Sequence, residues 1–261
     1  MDSPVNLEII DGVATITMNS PDNRNALTQE MSSAIIEAID ETEQSDAVRC
    51  LVLTGVEGTF CAGGDINSMM ELMSGTAELH EAVRGIQLQT NRVIRRIAEF
   101  HLPTVATVDG TAYGAGANLA ISADIRLASP DAEISFGFRQ VGLAIDTGTS
   151  YLLPREVGLS KAKELVFTGE LLSAEAAAEL GLFNHVYESF EEESAAFIDQ
   201  IARGPTVALR TSKNLLNQNP ASLKEAQDNE AFAQGSVFDT DDHQEGASAF
   251  MERRKPEFQG R

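Results

Sequence analysis

Two stretches of this chain repeat one local design. Thr59-Phe60-Cys61-Ala62-Gly63-Gly64-Asp65-Ile66 and Asp109-Gly110-Thr111-Ala112-Tyr113-Gly114-Ala115-Gly116-Ala117-Asn118-Leu119 both pass from strand-like residues through a turn of small residues into a helical pattern. Small side chains let backbone N–H groups approach a ligand closely. A helix start adds free N–H donors and a partial positive charge at the same point. One glycine cluster does no more than end a strand. Two that face each other can hold a single oxygen between two N–H groups, as an oxyanion hole does.

The neighbouring segments fit such a frame. Leu7 to Ile10 and Val13 to Met18 flank Asp11-Gly12, a strong hairpin signal. Thr28 can cap a helix reaching about Gln44, with Met31, Ala34, Ile35, Ala38 and Ile39 on one stripe. Val48 to Leu53 and Thr104 to Val108 read as buried strands. A helical pattern covers Ala77 to Phe100, and Pro103 stops it. Strands and helices alternate to about Tyr187, so the expectation is an α/β region over residues 1–190. Residues 191–261 read as a helical C-terminal region, with capping boxes at Ser189 to Glu192 and Ser222 to Glu225 and a last helix from Asp241 to Arg254.

Charge restricts the partners. Forty acidic residues face nineteen basic ones, for a net charge of −21, and only five of the cations are lysine. Such a field repels nucleic acid and anionic membranes. It also makes the fold repel itself, a cost removed at ~1 M salt, where the Debye length is only about 3 Å; the charge therefore points to a salt-rich cytoplasm. A compact chain of 261 residues should expose roughly 11,000 Å². No apolar run approaches the ~20 residues of a membrane span. The start, Met1-Asp2-Ser3-Pro4, is unlike a secretory signal. Two cysteines make no disulfide framework, which suits a reducing cytoplasmic compartment.

Gly114-Ala115-Gly116 invites a dinucleotide-binding reading, which its context does not support. Leu119 stands where a third Gly or Ala is needed, and the only acids near the required distance, Asp131 and Glu133, follow Ser129-Pro130 in a turn. Cys61 has no histidine near it in sequence to activate it. The histidines at 80, 101, 185 and 243 have no metal-ligand spacing, so no metal is expected.

Together these residues resemble the crotonase superfamily of enoyl-CoA hydratases and isomerases. The resemblance runs from about Leu7 to Phe258. It is carried by Asn25-Ala26-Leu27, the two small-residue turns, Gly142-Leu143-Ala144-Ile145-Asp146-Thr147-Gly148, Thr168-Gly169-Glu170, Ala178-Glu179-Leu180-Gly181-Leu182 and the Phe250 to Lys255 tail. It implies a spiral of ββα units, a C-terminal region that assembles trimers or hexamers, and an acyl-CoA thioester substrate with no separate cofactor. It implies oxyanion-hole N–H groups at Ala62 and Ala115. It further implies substrate contacts from Arg24, Ala26, Gly63, Gly64, Asp65, Ile66, Gly114, Gln140, Phe250, Arg253 and Lys255. Asp65 also suits a helix start.

Departures from the family pattern decide the chemistry expected. Hydratases of the family carry two glutamates, whose places here hold Asn118 and Gln140. Amides do not exchange protons near neutral pH. Asp146 stands where double-bond isomerases, including dienoyl-CoA isomerases and the ring-oxepin isomerases of phenylacetate breakdown, have aspartate. The reading is a double-bond isomerase with Asp146 as acid and base, its pKa raised by burial beside Leu143 and Ile145, and Asn118 orienting the thioester or a water. Asp146 could instead cap a helix from about Thr149. The rivals are a hydratase that uses Asp146 with a positioned water, and a non-catalytic acyl-CoA- or RNA-binding relative.

Overall fold

Each strand pair after the first hairpin divides itself between two sheets. In the computed structural model, which describes residues 3–56 and 58–261, β1 (Val5–Ile10) and β2 (Val13–Met18) form the expected hairpin. Met1 and Asp2 lie outside the described residues. Thr28 caps α1 (Gln29–Glu43), its hydroxyl accepting from the Met31 N–H at 3.0 Å. Then β3 (Cys50–Gly55) joins the large sheet while β4 (Thr59–Cys61) joins the small one, and α2 (Ile66–Ser74) comes next. The next helical stretch contains α3 (Leu79–Gly85), a π-helical turn at Ile86–Thr90 and α4 (Asn91–Ala98), so the long expected helix is interrupted by one wide turn.

The division repeats. β5 (Thr104–Val108) enters the large sheet, β6 (Thr111–Tyr113) the small one, and α5 (Ala115–Ile121) closes the unit. β7 (Ile125–Ala128) and β8 (Glu133–Ser135) do the same before α6 (Thr149–Thr168). β9 (Leu172–Ser173), α7 (Ala174–Glu179) and β10 (His185–Val186) complete the two sheets. The large sheet runs β1-β2-β3-β5-β7-β10, parallel after its antiparallel edge; the small one runs β4-β6-β8-β9, parallel but for β9. This is the α/β spiral of ββα units, and its main core lies between the sheets and helices, with Phe60, Phe100, Phe136 and Phe183 fully buried.

The C-terminal helices divide differently from the expected boundary after residue 190. α8 (Phe190–Ala202) packs Ile198 and Ala202 onto Cys50, Val52, Val105 and Leu127, covering the outer face of the large sheet. By its packing α8 therefore belongs to the spiral. Its start also departs from the expected capping box: Glu193, not Glu192, accepts from the Ser189 N–H at 3.0 Å. α9 (Thr206–Asn217) is tied on by polar anchors. The nearly buried Lys213 ammonium donates to the Leu102 carbonyl at 2.9 Å and pairs with Asp124 at 2.7 Å. Arg49 reaches Thr206 Oγ1 at 2.8 Å and the Gly204 carbonyl. α10 (Leu223–Val237) buries no residue, although its Ser222 cap forms as expected. α11 (Asp241–Glu252) leads into a tail that folds back: the Asp242 carboxylate accepts from the Gln259 and Gly260 N–H groups. The folded surface is 14491 Å², well above the roughly 11,000 Å² of a compact chain of this length. Exposed Leu216, Leu223, Phe232 and Phe238 show where part of the excess lies.

Candidate active site

A buried asparagine sets the first wall. Asn25 Oδ1 accepts from the Ser20 N–H at 2.9 Å, and its Nδ2 donates to the Thr59 carbonyl at 2.7 Å. The loop before α1 is thus fixed to β4, with Arg24 and Asn25 both at positive φ. That loop then grips the first small-residue turn twice. The Ala62 N–H donates to the Arg24 carbonyl at 3.0 Å, and the Leu27 N–H donates to the Gly63 carbonyl at 2.8 Å. The expectation for Ala62 is corrected by this bond, because its N–H is already engaged inside the protein. The Gly63 N–H faces the Cys61 sulfur. Gly64 supplies the next N–H of this turn, and it has no acceptor among the described residues. Asp65 caps α2, accepting from the Asn67 N–H and the Ser68 hydroxyl at 3.0 Å each, and Ile66 is exposed beside it.

The second turn interlocks with the first. Gly114 takes φ 56° and ψ −115°, a conformation suited to glycine, and its N–H donates to the Ser135 carbonyl at 2.8 Å. Ala115 opens α5, so its N–H precedes the helical ladder and finds no acceptor among the described residues. A Cβ on Gly63 would lie 3.3 Å from the Ala115 nitrogen, and one on Gly116 would collide with the Cys61 carbonyl. The backbones of the two turns therefore touch, which only glycine permits. Cys61 is fully buried and its thiol is pushed up to about 12 by desolvation, so it is no thiolate nucleophile near neutral pH.

The Asp146 carboxylate does not cap α6. Gly148 occupies the cap position, and the Thr149 N–H donates to the main-chain carbonyl of Asp146 at 3.0 Å. Asp146 is half-buried, and desolvation raises its pKa above the ordinary aspartate value, opposed by a hydrogen bond from Thr147. The direction is as expected, though Leu143 is itself 50 % exposed.

Asn118 is fully buried and its carboxamide is committed inside the protein. Nδ2 donates to Thr147 Oγ1 at 2.6 Å, to Thr149 Oγ1 at 2.7 Å and to the Asp146 carbonyl at 3.1 Å. The expectation that Asn118 orients a thioester or a water gives way to a different role: it holds the turn that carries Asp146. Sequence reasoning does not single out Thr147 and Thr149, although hydroxyls flank the turn glycine in Asp146-Thr147-Gly148-Thr149. Gln140 is exposed, with Nε2 3.5 Å from the Gly169 carbonyl, and Ala26 is buried.

The tail residues stand apart. Phe250 is 86 % exposed, and Arg253 and Lys255 are exposed with it. Among the described residues no hydrogen bond or ion pair joins their side chains to either turn. Arg49, just before β3, donates to the Phe258 carbonyl and holds their tail, whereas the first small-residue turn lies beyond the end of β3.

Comparisons with known proteins give the family. The enoyl-CoA hydratase/isomerase family matches residues 8–261. The chain is 34% identical over 253 residues to the 1,2-epoxyphenylacetyl-CoA isomerase of Escherichia coli, covering 96% of both chains. It is 33% identical to the trans-2-decenoyl-[acyl-carrier-protein] isomerase of Streptococcus mutans, again over 96% of each. A solved enoyl-CoA hydratase/isomerase from Cupriavidus metallidurans superposes with a TM-score of 0.89 at 31% identity, over 98% of this chain and 96% of that one. Two interlocked turns with free N–H groups, the spiral that creates them and a match over nearly the whole length leave one conclusion: the chain belongs to the enoyl-CoA hydratase/isomerase family.

Proposed function

We propose that this enzyme moves a double bond in an acyl-CoA thioester, with Asp146 as the single acid and base. The observation that carries the reading is that Asp146 is the only carboxylate among the three positions where the family does its proton chemistry, and that its carboxylate is not spent on capping α6. The thioester oxygen sits between the N–H groups of Gly64 and Ala115. Asp146 removes a proton from a carbon conjugated with that carbonyl. The electron pair delocalises onto the oxygen as an enolate, and the same carboxyl group returns the proton at another carbon of the chain. Atoms and electrons balance, and no water is consumed. A carboxylate is a weak base toward carbon, so enolate stabilisation has to supply much of the acceleration; one such donor is worth about 10²–10³ in rate.

The charge of the chain and the residues around the turns support the finer expectations. On this reading Arg24, Ala26, Gly63, Asp65, Ile66, Gly114 and Gln140 would line the substrate site. Phe250, Arg253 and Lys255 would serve the CoA moiety from a second copy of the chain, since their own tail is held away from the turns. Such an arrangement fits a trimer or hexamer built through α9, α10 and α11, which would cover exposed Leu216 on α9, Phe232 on α10 and Phe238 just after it. No helix among the described residues is long and apolar enough to cross a membrane.

Incubation of the pure enzyme with a 2-enoyl-CoA and a 3-enoyl-CoA, with the products weighed by mass spectrometry, separates the two chemistries. Isomerisation leaves the mass unchanged and shifts the double bond. A product heavier by one water identifies a hydratase and contradicts the proposal.

A further inference from the structure

Thr147 occupies a position that a β-branched residue rarely takes. Its backbone is left-handed, at φ 47°, and the residue is 4 % exposed. Such conformations persist only where the surroundings impose them, and they concentrate at functional sites. Here the surroundings are explicit. Asn118 Nδ2 donates to Thr147 Oγ1 at 2.6 Å, and the Thr147 hydroxyl donates to Asp146 Oδ1 at 3.0 Å. The direction is fixed by chemistry, since an amide nitrogen only donates and an ionised carboxylate only accepts. Asn118 is itself oriented by the main-chain carbonyl of Asp146, which only accepts and lies 3.1 Å from Nδ2. Among the described residues Asp146 Oδ2 accepts from no donor.

We propose that Thr147 is a positioning residue for Asp146: it fixes Oδ1 in one direction and leaves Oδ2 as the oxygen that takes and returns the substrate proton. The inference rests on Asp146 being the base. It gives the unfavourable backbone at Thr147 a purpose, because in this turn one hydroxyl meets both the buried amide and the carboxylate. The same bond favours the ionised carboxylate against its burial. Among the described residues no charged side chain takes over that task. α5 carries none. On α4 and at its C-terminal cap, Arg92, Arg95 and Glu99 are exposed, and Arg96 pairs with Asp40 and Glu43. On α6, Arg155 lies over the Tyr151 ring and Glu156 pairs with Arg126. Arg139 donates to the Thr168 carbonyl. None of them shifts Asp146.

The test tracks solvent deuterium entering a short-chain 3-enoyl-CoA across pH, in wild type, Thr147→Val, Thr147→Ser and Thr147→Gly, with melting temperatures alongside. The base acts ionised, so exchange rises with pH through the Asp146 pKa. Without the hydroxyl that pKa rises further. Thr147→Val should therefore move the acidic limb up by about one pH unit, and lower the plateau about tenfold through lost orientation. Thr147→Ser should retain the wild-type limb. Thr147→Gly, which accepts the left-handed backbone while lacking the hydroxyl, should behave like the valine variant even if that variant folds poorly. A limb that stays in place for both Val and Gly overturns the inference, whatever happens to the plateau. Asp146→Asn, measured in parallel, distinguishes the two levels: if it exchanges at the wild-type rate, the base assignment itself fails.

Discussion

α2 and α5 both begin at a small-residue turn, yet the two helices could hardly differ more in burial. All seven residues of α5 are buried, and Gly116 lies hard against the Cys61 backbone. α2 buries none of its nine residues, leaving Ile66, Met70 and Met73 at 65 %, 63 % and 89 % exposure. The contrast teaches a division of labour. A donor N–H must stand still to stabilise charge as it develops, so its helix is locked in the core. On the proposed reading the exposed face of α2 is turned to the acyl chain, where the unbranched, adaptable Met70 and Met73 suit a variable partner. The first turn gains its rigidity from the Arg24–Leu27 loop instead of from its own helix.

The largest effect should come from deleting either donor. Gly64→Pro and Ala115→Pro remove one N–H each and should lower kcat by about 10²–10³ with the fold retained by circular dichroism. Ala62→Pro, which removes only the strap to Arg24, should act mainly on stability. A folded Gly64→Pro enzyme with wild-type kcat would return the role to Ala62.

Next in size is a pair of alanine substitutions. Gly116→Ala forces a Cβ into the Cys61 carbonyl and should cost about 1–3 kcal/mol in denaturant unfolding. Gly64→Ala meets only the flexible Met69 methyl, at 3.3 Å, and should cost under about 0.5 kcal/mol. Equal costs would break the contrast between a locked turn and an open one.

The smallest effect concerns salt. A net charge of −21 per chain repels over longer distances at low ionic strength, and an assembly multiplies the repulsion. Between ~0.1 M and ~2 M KCl, the melting temperature and the light-scattering mass should both rise. If neither changes, the acid excess is not an adaptation to salt.

The sequence exposed these features unequally, for physical reasons. The β1–β2 hairpin, α1 with its Thr28 cap and the buried strands β3 and β5 were legible because turn chemistry, capping and apolar runs are local signals. The two turns were legible as small-residue clusters. Which N–H each one leaves free was not, because the Ala62 N–H is taken by Arg24, thirty-eight residues earlier in the chain. Asn118 had the same fate: its neighbours in sequence say nothing of Thr147 and Thr149, which reach it only through the packing of α5 against α6. The attachment of α8 to the large sheet was also hidden, since an amphipathic helix looks alike whether it covers its own core or a partner's.

Asp146→Asn removes the proposed base, and its effect is read as exchange of solvent deuterium into a 3-enoyl-CoA and a melting curve measured on the same preparation. Loss of the base should slow exchange at least ~10²-fold. Stability should move the other way. Burial raises the Asp146 pKa above 3.8, so as pH climbs past that value the unfolded chain releases its proton before the folded one does. The folded state then carries a penalty that is complete above the folded pKa, and an asparagine cannot incur it. At neutral pH the variant should melt at the wild-type temperature or slightly higher, inert but intact. An Asp146→Asn enzyme that still exchanges deuterium at the wild-type rate would contradict the account.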